Sequence, residues 1–342
     1  MFTQGILNLI KFIKKTGVLL FFTTLNISIF ELKPKQMKAS ISFLFFLVVF
    51  ALNGFSNSFS IKKVKEIPTA EVEALLSFFY EANGEQWVHN DGWLKSNSPS
   101  SWYGITITNG HVTSIDLCSN QLSGKLSSEL SELKYLEDLF LYNNNLSGQI
   151  PTGICLIPAL QRLILCYNKF SGSIPEKIGN LSNLKELVLS HNQLDGKIPS
   201  SITKLSCIEG LSLCNNHLDG TIPNRICDLK NLIFFSLSNN ELEGEIPCLL
   251  QDLENIRWII LADNKLTGEI PQDLGSLQSL TRLDLSNNQL TGKIPESISS
   301  LQELSYLNLS NNQLSGLLPS SLAQMKNLRG LFIEKNRLSV SL

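Results

Sequence analysis

The chain has 342 residues, 43% of them hydrophobic and 17% charged, with a formal net charge of −2. That balance hides an asymmetry: residues 1–68 hold 9 Lys/Arg against 2 Asp/Glu, and the remainder 19 against 28. The bulk of the chain is therefore acidic, which argues against a nucleic-acid partner.

Residues 1–56 read as a leader. Its first apolar stretch, Val18 to Phe30, follows Lys11, Lys14 and Lys15 but is broken by Thr23, Thr24 and Asn26. The second, Ile41 to Leu52, follows Met37-Lys38. Both fall short of the roughly 18–20 residues of a membrane-spanning helix. Read from Met37, which is then the functional start, the segment has the form of a signal peptide: a positive start, an apolar run, then small residues up to a cleavage point near Ser56. The alternative is an uncleaved anchor, which would be the chain's one route to membrane contact. Residues 57–68, with Lys62, Lys63 and Lys65, read as a polar spacer.

Residues 69–111 form the next unit. After Pro68 a helix is predicted, with Glu71 and Glu73 in its first turn and Val72, Leu75, Leu76 and Phe79 at i, i+3, i+4 and i+7 as its apolar stripe. Asn83-Gly84 ends it. Trp87, Trp93 and Trp102 follow. Ile105 to Thr108 and Val112 to Leu117, joined by Asn109-Gly110, carry the signal of a β-hairpin with a type I′ turn.

From Val112 one 24-residue pattern recurs, starting at Val112, Leu136, Leu160, Leu184, Ile208, Leu232, Ile256, Leu280 and Leu304, with a partial tenth unit from Leu328. Apolar residues fall at places 1, 4, 6, 11, 15, 19 and 22, Gly at place 13 and mostly Pro at place 16. Place 9 is Asn in every unit: Asn120, Asn144, Asn168, Asn192, Asn216, Asn240, Asn264, Asn288, Asn312 and Asn336. The alternation at places 4 to 6 predicts a short strand with both leucines inward. One such unit cannot bury its apolar face alone, so neighbours stack into a continuous core. The recurrent Asn has the donors and acceptor to satisfy turning backbone, and a buried ladder of them is expected.

The stretch LSGxIPxxLxxLxxL resembles the 24-residue leucine-rich repeat of plant receptor-like proteins and of their bacterial and algal relatives, over residues 112–342. The resemblance implies an α/β solenoid, a leucine-rich repeat superhelix with a parallel concave β-sheet and an N-terminal helix-plus-hairpin cap. It also implies partner binding by the concave face rather than catalysis. The arrangement FYxANGxxWxxNxxWL…WYGI is similar to the cap of bacterial and algal members; residues 1–117 lack the cysteine pair of the plant cap. Three tryptophans and a helix laid over the first repeat would seal its open core.

Specific function is written where repeats differ. At places 3 and 5, Phe140, Ile164 and Val188 make one apolar patch, edged by Tyr142 and Tyr167; Phe234, Trp258 and Ile260 make a second, with Tyr306 further along. Exposed aromatics on such a face are the residues expected at binding hot spots, although strand surfaces favour such residues in any case.

Seven cysteines follow residue 117. Cys118, Cys166 and Cys214 share place 7 in alternate repeats, roughly 10 Å apart at a strand spacing of about 4.8 Å, too far for a disulfide. Cys227 has Cys207 or Cys248 within a repeat of it, and Cys155 completes the set. No metal-ligand spacing, phosphate loop or catalytic motif stands out among the scattered His89, His111, His191 and His217. Asn-x-Ser occurs at Asn145, Asn180 and Asn308, the first and last of them beside repeat-consensus positions.

The reading is a non-catalytic secreted or cell-surface module, without cofactor or metal, binding a protein, peptide or glycan. The alternatives are a structural or adhesive surface protein and an inhibitor of an extracellular hydrolase. Since no polar element follows Leu331, Ile333 and Leu338, the last unit is expected to fray or to associate end to end with a second copy. N-terminal sequencing of secreted material should show a start near Asn57; an intact Met1 recovered in a membrane fraction would overturn the signal-peptide reading.

Overall fold

The computed structural model describes residues 66–247 and 253–339; the leader, Cys248 and the last three residues lie outside them. Helix α1 (Thr69–Glu81) opens the described chain. Its buried side chains are Glu71, Ala74, Leu75, Phe78 and Phe79, so the stripe is turned from the expected one, leaving Val72 and Leu76 half-buried at its border. The aromatic cluster is the cause. Trp87 packs on both Phe78 and Phe79, at ring-centre distances of 5.8 and 5.1 Å, which requires both rings inward. Trp93 stacks on Phe79 and meets Trp102 at 4.7 Å. Each indole N–H finds a carbonyl: Trp87 donates to Ala82, Trp93 to Tyr103 and Trp102 to Ser96. These three rings are thus buried with no orphaned donor. The cap also takes in part of the expected spacer, since Ile67 is buried and Glu66 accepts hydrogen bonds from Ser98 and Ser100.

Strands β1 (Ile105–Thr108) and β2 (His111–Asp116) form the hairpin, with Asn109 and Gly110 both at positive φ as a type I′ turn requires. Glu71 was expected only to suit the helix dipole. Instead its buried carboxylate accepts the backbone N–H of Val112 at 2.8 Å and pairs with His111 Nδ1 at 2.6 Å. That bond ties the helix to the first repeat.

From β2 onward the sheet is parallel. The remaining strands are β3 (Asp138–Phe140), β4 (Arg162–Ile164), β5 (Glu186–Val188), β6 (Gly210–Ser212), β7 (Phe234–Ser236), β8 (Trp258–Ile260), β9 (Arg282–Asp284), β10 (Tyr306–Asn308) and β11 (Gly330–Phe332), completing an 11-stranded sheet in chain order. Register advances by one repeat per strand, as in Asp138↔Arg162 and Arg162↔Glu186. From β2 to β10 the central apolar residue of each strand and the one two residues on, such as Leu139 and Leu141, are buried. The opposite wall is built of short 3-10 turns, most of them entered through the place-16 proline, as at Pro151, Pro199 and Pro295. In the first unit Ser127 stands there instead and accepts a hydrogen bond from Glu129 N.

Nine of the ten repeated asparagines are buried, and Asn336 is half-buried. Asn216 is representative. Its Nδ2 donates to Leu213 O of its own repeat (3.0 Å) and Leu189 O of the preceding one (3.1 Å), while its Oδ1 accepts from Leu194 N (3.0 Å). One amide thus satisfies backbone groups of two repeats. The residue before each Asn, from Ser119 to Lys335, has φ between 53° and 56°. That left-handed conformation suits the Asn or Asp found in six units and strains Tyr167 and His191. Gly124 is needed twice over: its φ is 89°, and a Cβ there would collide with the Glu81 carbonyl at the end of α1.

At the far end Leu331 and Phe332 are exposed and Ile333 and Leu338 half-buried. Among the described residues no helix is long and apolar enough to cross a membrane. Asn216→Ala would strand buried backbone groups on two turns; a loss of roughly 2–5 kcal/mol is expected in reversible denaturation, and a loss under about 0.5 kcal/mol would refute the bridging role.

Candidate ligand-binding face

Places 3 and 5 of each strand point away from the core, and cross-strand register brings them into rows. Phe140, Ile164 and Val188 are consecutive in one row and half-buried. This first patch is partly closed by its own neighbours. The Arg162 guanidinium lies 5.0 Å from the centre of the Phe140 ring and is held by a two-pronged bond to Asp138, at 2.6 and 2.7 Å. That carboxylate raises the Arg162 pKa. Ser212 and Ser236 then separate this row from Ile260.

Tyr142 and Tyr167 are exposed beyond the strands. Tyr167 does not join the patch: from its left-handed turn it stacks on His191, with ring centres 4.0 Å apart and planes 10° from parallel. Tyr142 sits between Cys118 and Cys166 in the place-7 row. Burial, with Asp116 adding to it, pushes the Cys118 thiol up to about 12. Cys118, Cys155, Cys166, Cys207 and Cys214 carry no disulfide, so the pairing of Cys207 with Cys227 is absent, and the alternative partner Cys248 lies outside the described residues. Among the described residues no cluster of metal-ligating side chains occurs.

The second patch is more open. Trp258 is 47% exposed and meets the half-buried Phe234 edge-on, ring centres 5.6 Å apart, with Ile260 two residues along the same strand. Ile233, Phe234, Arg257, Trp258 and Thr281 line a shallow recess of about 310 Å³. In the next two strands Arg282 lies beside Trp258, and Tyr306 beside Arg282, with the guanidinium 4.0 Å from the Tyr306 ring centre. Tyr306 in turn touches Phe332. The Arg282 Nη2 is 3.8 Å from Asp284 Oδ2. Buried Asp284 also accepts from Ser286 N and Oγ and from Asn308. Sequence reasoning missed Ile233, Arg257, Arg282 and Asp284. The signal that could have found them is the place-3 column Phe234, Trp258, Arg282, Tyr306: a cation set between aromatic rings at 24-residue spacing.

Reactivity checks the thiol environment. With its thiol pushed up to about 12, Cys118 is overwhelmingly protonated at pH 8, so iodoacetamide should label it far more slowly than a free cysteine peptide; labelling at the peptide's rate would contradict the half-buried, Asp116-facing geometry.

Comparison with known proteins places the fold. Leucine rich repeat models match residues 158–218 and 278–338, and 111–133, 135–157, 231–253 and 255–277. The ectodomain of the plant membrane receptor kinase GASSHO1/SCHENGEN3 from Arabidopsis thaliana, solved with CASPARIAN STRIP INTEGRITY FACTOR 2, is 34% identical with a TM-score of 0.71, over 80% of this chain and 36% of that one. The plant peptide hormone receptor RGFR1, solved with RGF2, is 35% identical with a TM-score of 0.59, over 66% and 40%. The Arabidopsis receptor kinase HAESA, solved with the peptide hormone IDA and the co-receptor SERK1, is 29% identical with a TM-score of 0.60, over 79% and 54%. The chain thus spans about a third to a half of the length of these three receptor structures. A plant ice-binding protein at 23% identity and a TM-score of 0.62 shares the fold. With a 24-residue register unbroken through the described repeats and family models tiling most of them, the chain belongs to the leucine-rich repeat family, of the plant receptor-ectodomain type.

Proposed function

We propose that this protein is a non-catalytic extracellular recognition module that binds a peptide or a peptide segment of a protein through its concave face. One observation carries the reading: Trp258, 47% exposed, is the most open of the large apolar side chains at places 3 and 5, and it borders a recess of about 310 Å³ on that face. An exposed Trp in a recess, flanked by Arg and set on a rigid sheet, has the composition of a binding hot spot. The strand centres beneath it are fully packed, so these side chains contribute contact surface without contributing core. The three related receptors solved with peptide or protein ligands support the same reading.

The test is a displayed library of random linear peptides panned against residues 57–342. Binders are expected to lose at least tenfold in affinity when Phe140 and Trp258 are both changed to Ser, and to be indifferent to Leu156→Ser on the opposite wall, where Leu156 is 52% exposed. Binding that follows Leu156 and ignores the double substitution would overturn the concave-face reading.

A further inference from the structure

The Asn-x-Ser sequences at Asn145, Asn180 and Asn308 are not explained by ligand binding. Such a sequence is the acceptor of N-linked glycosylation in a chain that enters a eukaryotic secretory pathway. Attachment uses two groups: the Asn amide takes the sugar, and the transferase recognises the Ser hydroxyl two residues on. In all three sequences the middle residue is a buried leucine, Leu146, Leu181 or Leu309, yet the flanking groups stand in different surroundings.

At Asn308 both groups are engaged. Its Nδ2 lies 3.4 Å from Asp284 Oδ2 and from Tyr306 Oη, its Oδ1 accepts from Ser310 N and Oγ, and Ser310 is buried. A sugar there would displace these bonds and stand on the concave strand β10. Asn145 is exposed, but Ser147 is half-buried and its Oγ donates to Gly124 O at 3.1 Å. Only at Asn180 are both groups open: Asn180 and Ser182 are exposed, and neither side chain hydrogen-bonds to another described residue. Asn180 closes the 3-10 turn Ile178–Asn180 on the wall opposite the sheet. The preceding turn, Thr152–Leu156, packs against it and ends on Leu156, at the same place in its repeat. Leu156 is the one large apolar side chain exposed on these turns among the described residues.

We propose that Asn180 is an N-glycosylation site whose oligosaccharide shields Leu156 and leaves the concave face bare. The inference rests on the extracellular placement in the reading above. The donor is an oligosaccharide carried on a polyprenyl pyrophosphate. Asn180 Nδ2 forms a bond to the anomeric carbon of the first sugar, the bond from that carbon to the pyrophosphate oxygen breaks, and the lipid pyrophosphate leaves with the electron pair. The amide gives one proton to a base of the transferase, and nothing is oxidised or reduced. The product is a bulky, hydrated group rooted one turn from Leu156.

The experiment expresses the full chain, with its own leader, in cultured human cells. Medium and cell fractions are treated with peptide-N-glycosidase in heavy-oxygen water, and each site that held a glycan is read by mass spectrometry as a labelled Asn-to-Asp conversion. In the secreted chain Asn180 should be occupied in most molecules, Asn145 in fewer and Asn308 in none. Ser182→Ala should abolish the Asn180 glycan, and Ser182→Thr, which keeps the hydroxyl, should retain it. Asn180→Gln should make the secreted chain self-associate at lower concentration, and adding Leu156→Ser should reverse that. Secreted chain that is bare at Asn180, or more occupied at Asn145 or Asn308, would overturn this inference and leave the extracellular reading standing. Glycan at Asn180 with unchanged association in Asn180→Gln would overturn the shielding of Leu156. A chain retained in the cytosol without any glycan would overturn both this inference and the extracellular reading.

Discussion

A solenoid of this kind turns its backbone away from the sheet at every repeat, and each turn takes carbonyls and amides out of the ladder while keeping them from water. The side-chain amide at place 9 resolves this. Asn144 serves Leu141 and Leu117 through Nδ2 and Leu122 through Oδ1, and the same three-way bridge recurs to Asn336. No other side chain combines two donors and an acceptor at that reach. Because each bridge spans two repeats, the bond that closes one turn also sets its distance to the next. The fixed 24-residue advance in strand register follows from this, and with it the alignment of places 3 and 5 into rows.

The first bridge has no preceding repeat, and the cap supplies the substitute. Asn120 exchanges hydrogen bonds with the backbone of His89, its Oδ1 accepting from the N–H and its Nδ2 donating to the carbonyl. The cap thus imitates the backbone of a repeat that is not there. Its tryptophans cover the apolar end, and Glu71 anchors the helix to the hairpin edge. Stacking of His111 on Tyr135, at 3.8 Å between ring centres, carries that anchoring to the last residue of the first repeat unit.

The repeat register, the Asn-Gly hairpin and the aromatic cap were legible in the sequence because each rests on spacing or on a residue with few conformational uses. The helix face was legible only to within one residue: Val72 and Phe78 are equally apolar, and the choice between them is made by where Trp87 sits, which is tertiary information. The left-handed residue at place 8 was hidden because Tyr167 and His191 break the Asn/Asp preference that would have announced it. In the binding face the apolar residues drew notice, since hydrophobicity can be read one residue at a time. Arg282 did not, because its state depends on neighbours 24 residues away on each side.

This division has a physical origin. Inward positions are constrained by packing, so they repeat, and what repeats can be read. Outward positions on the same strands carry no such constraint: Ile259, Leu283 and Leu307 are all buried although the residues before them are Trp258, Arg282 and Tyr306. A residue there is tolerated at almost no cost to the fold unless it brings a burden of its own. Arg282 does bring one, an unmet donor, in a row where the adjacent repeats accept Trp258 and Tyr306 without any. The guanidinium persists there because one ion pair, to Asp284, and the Tyr306 ring over-determine its position.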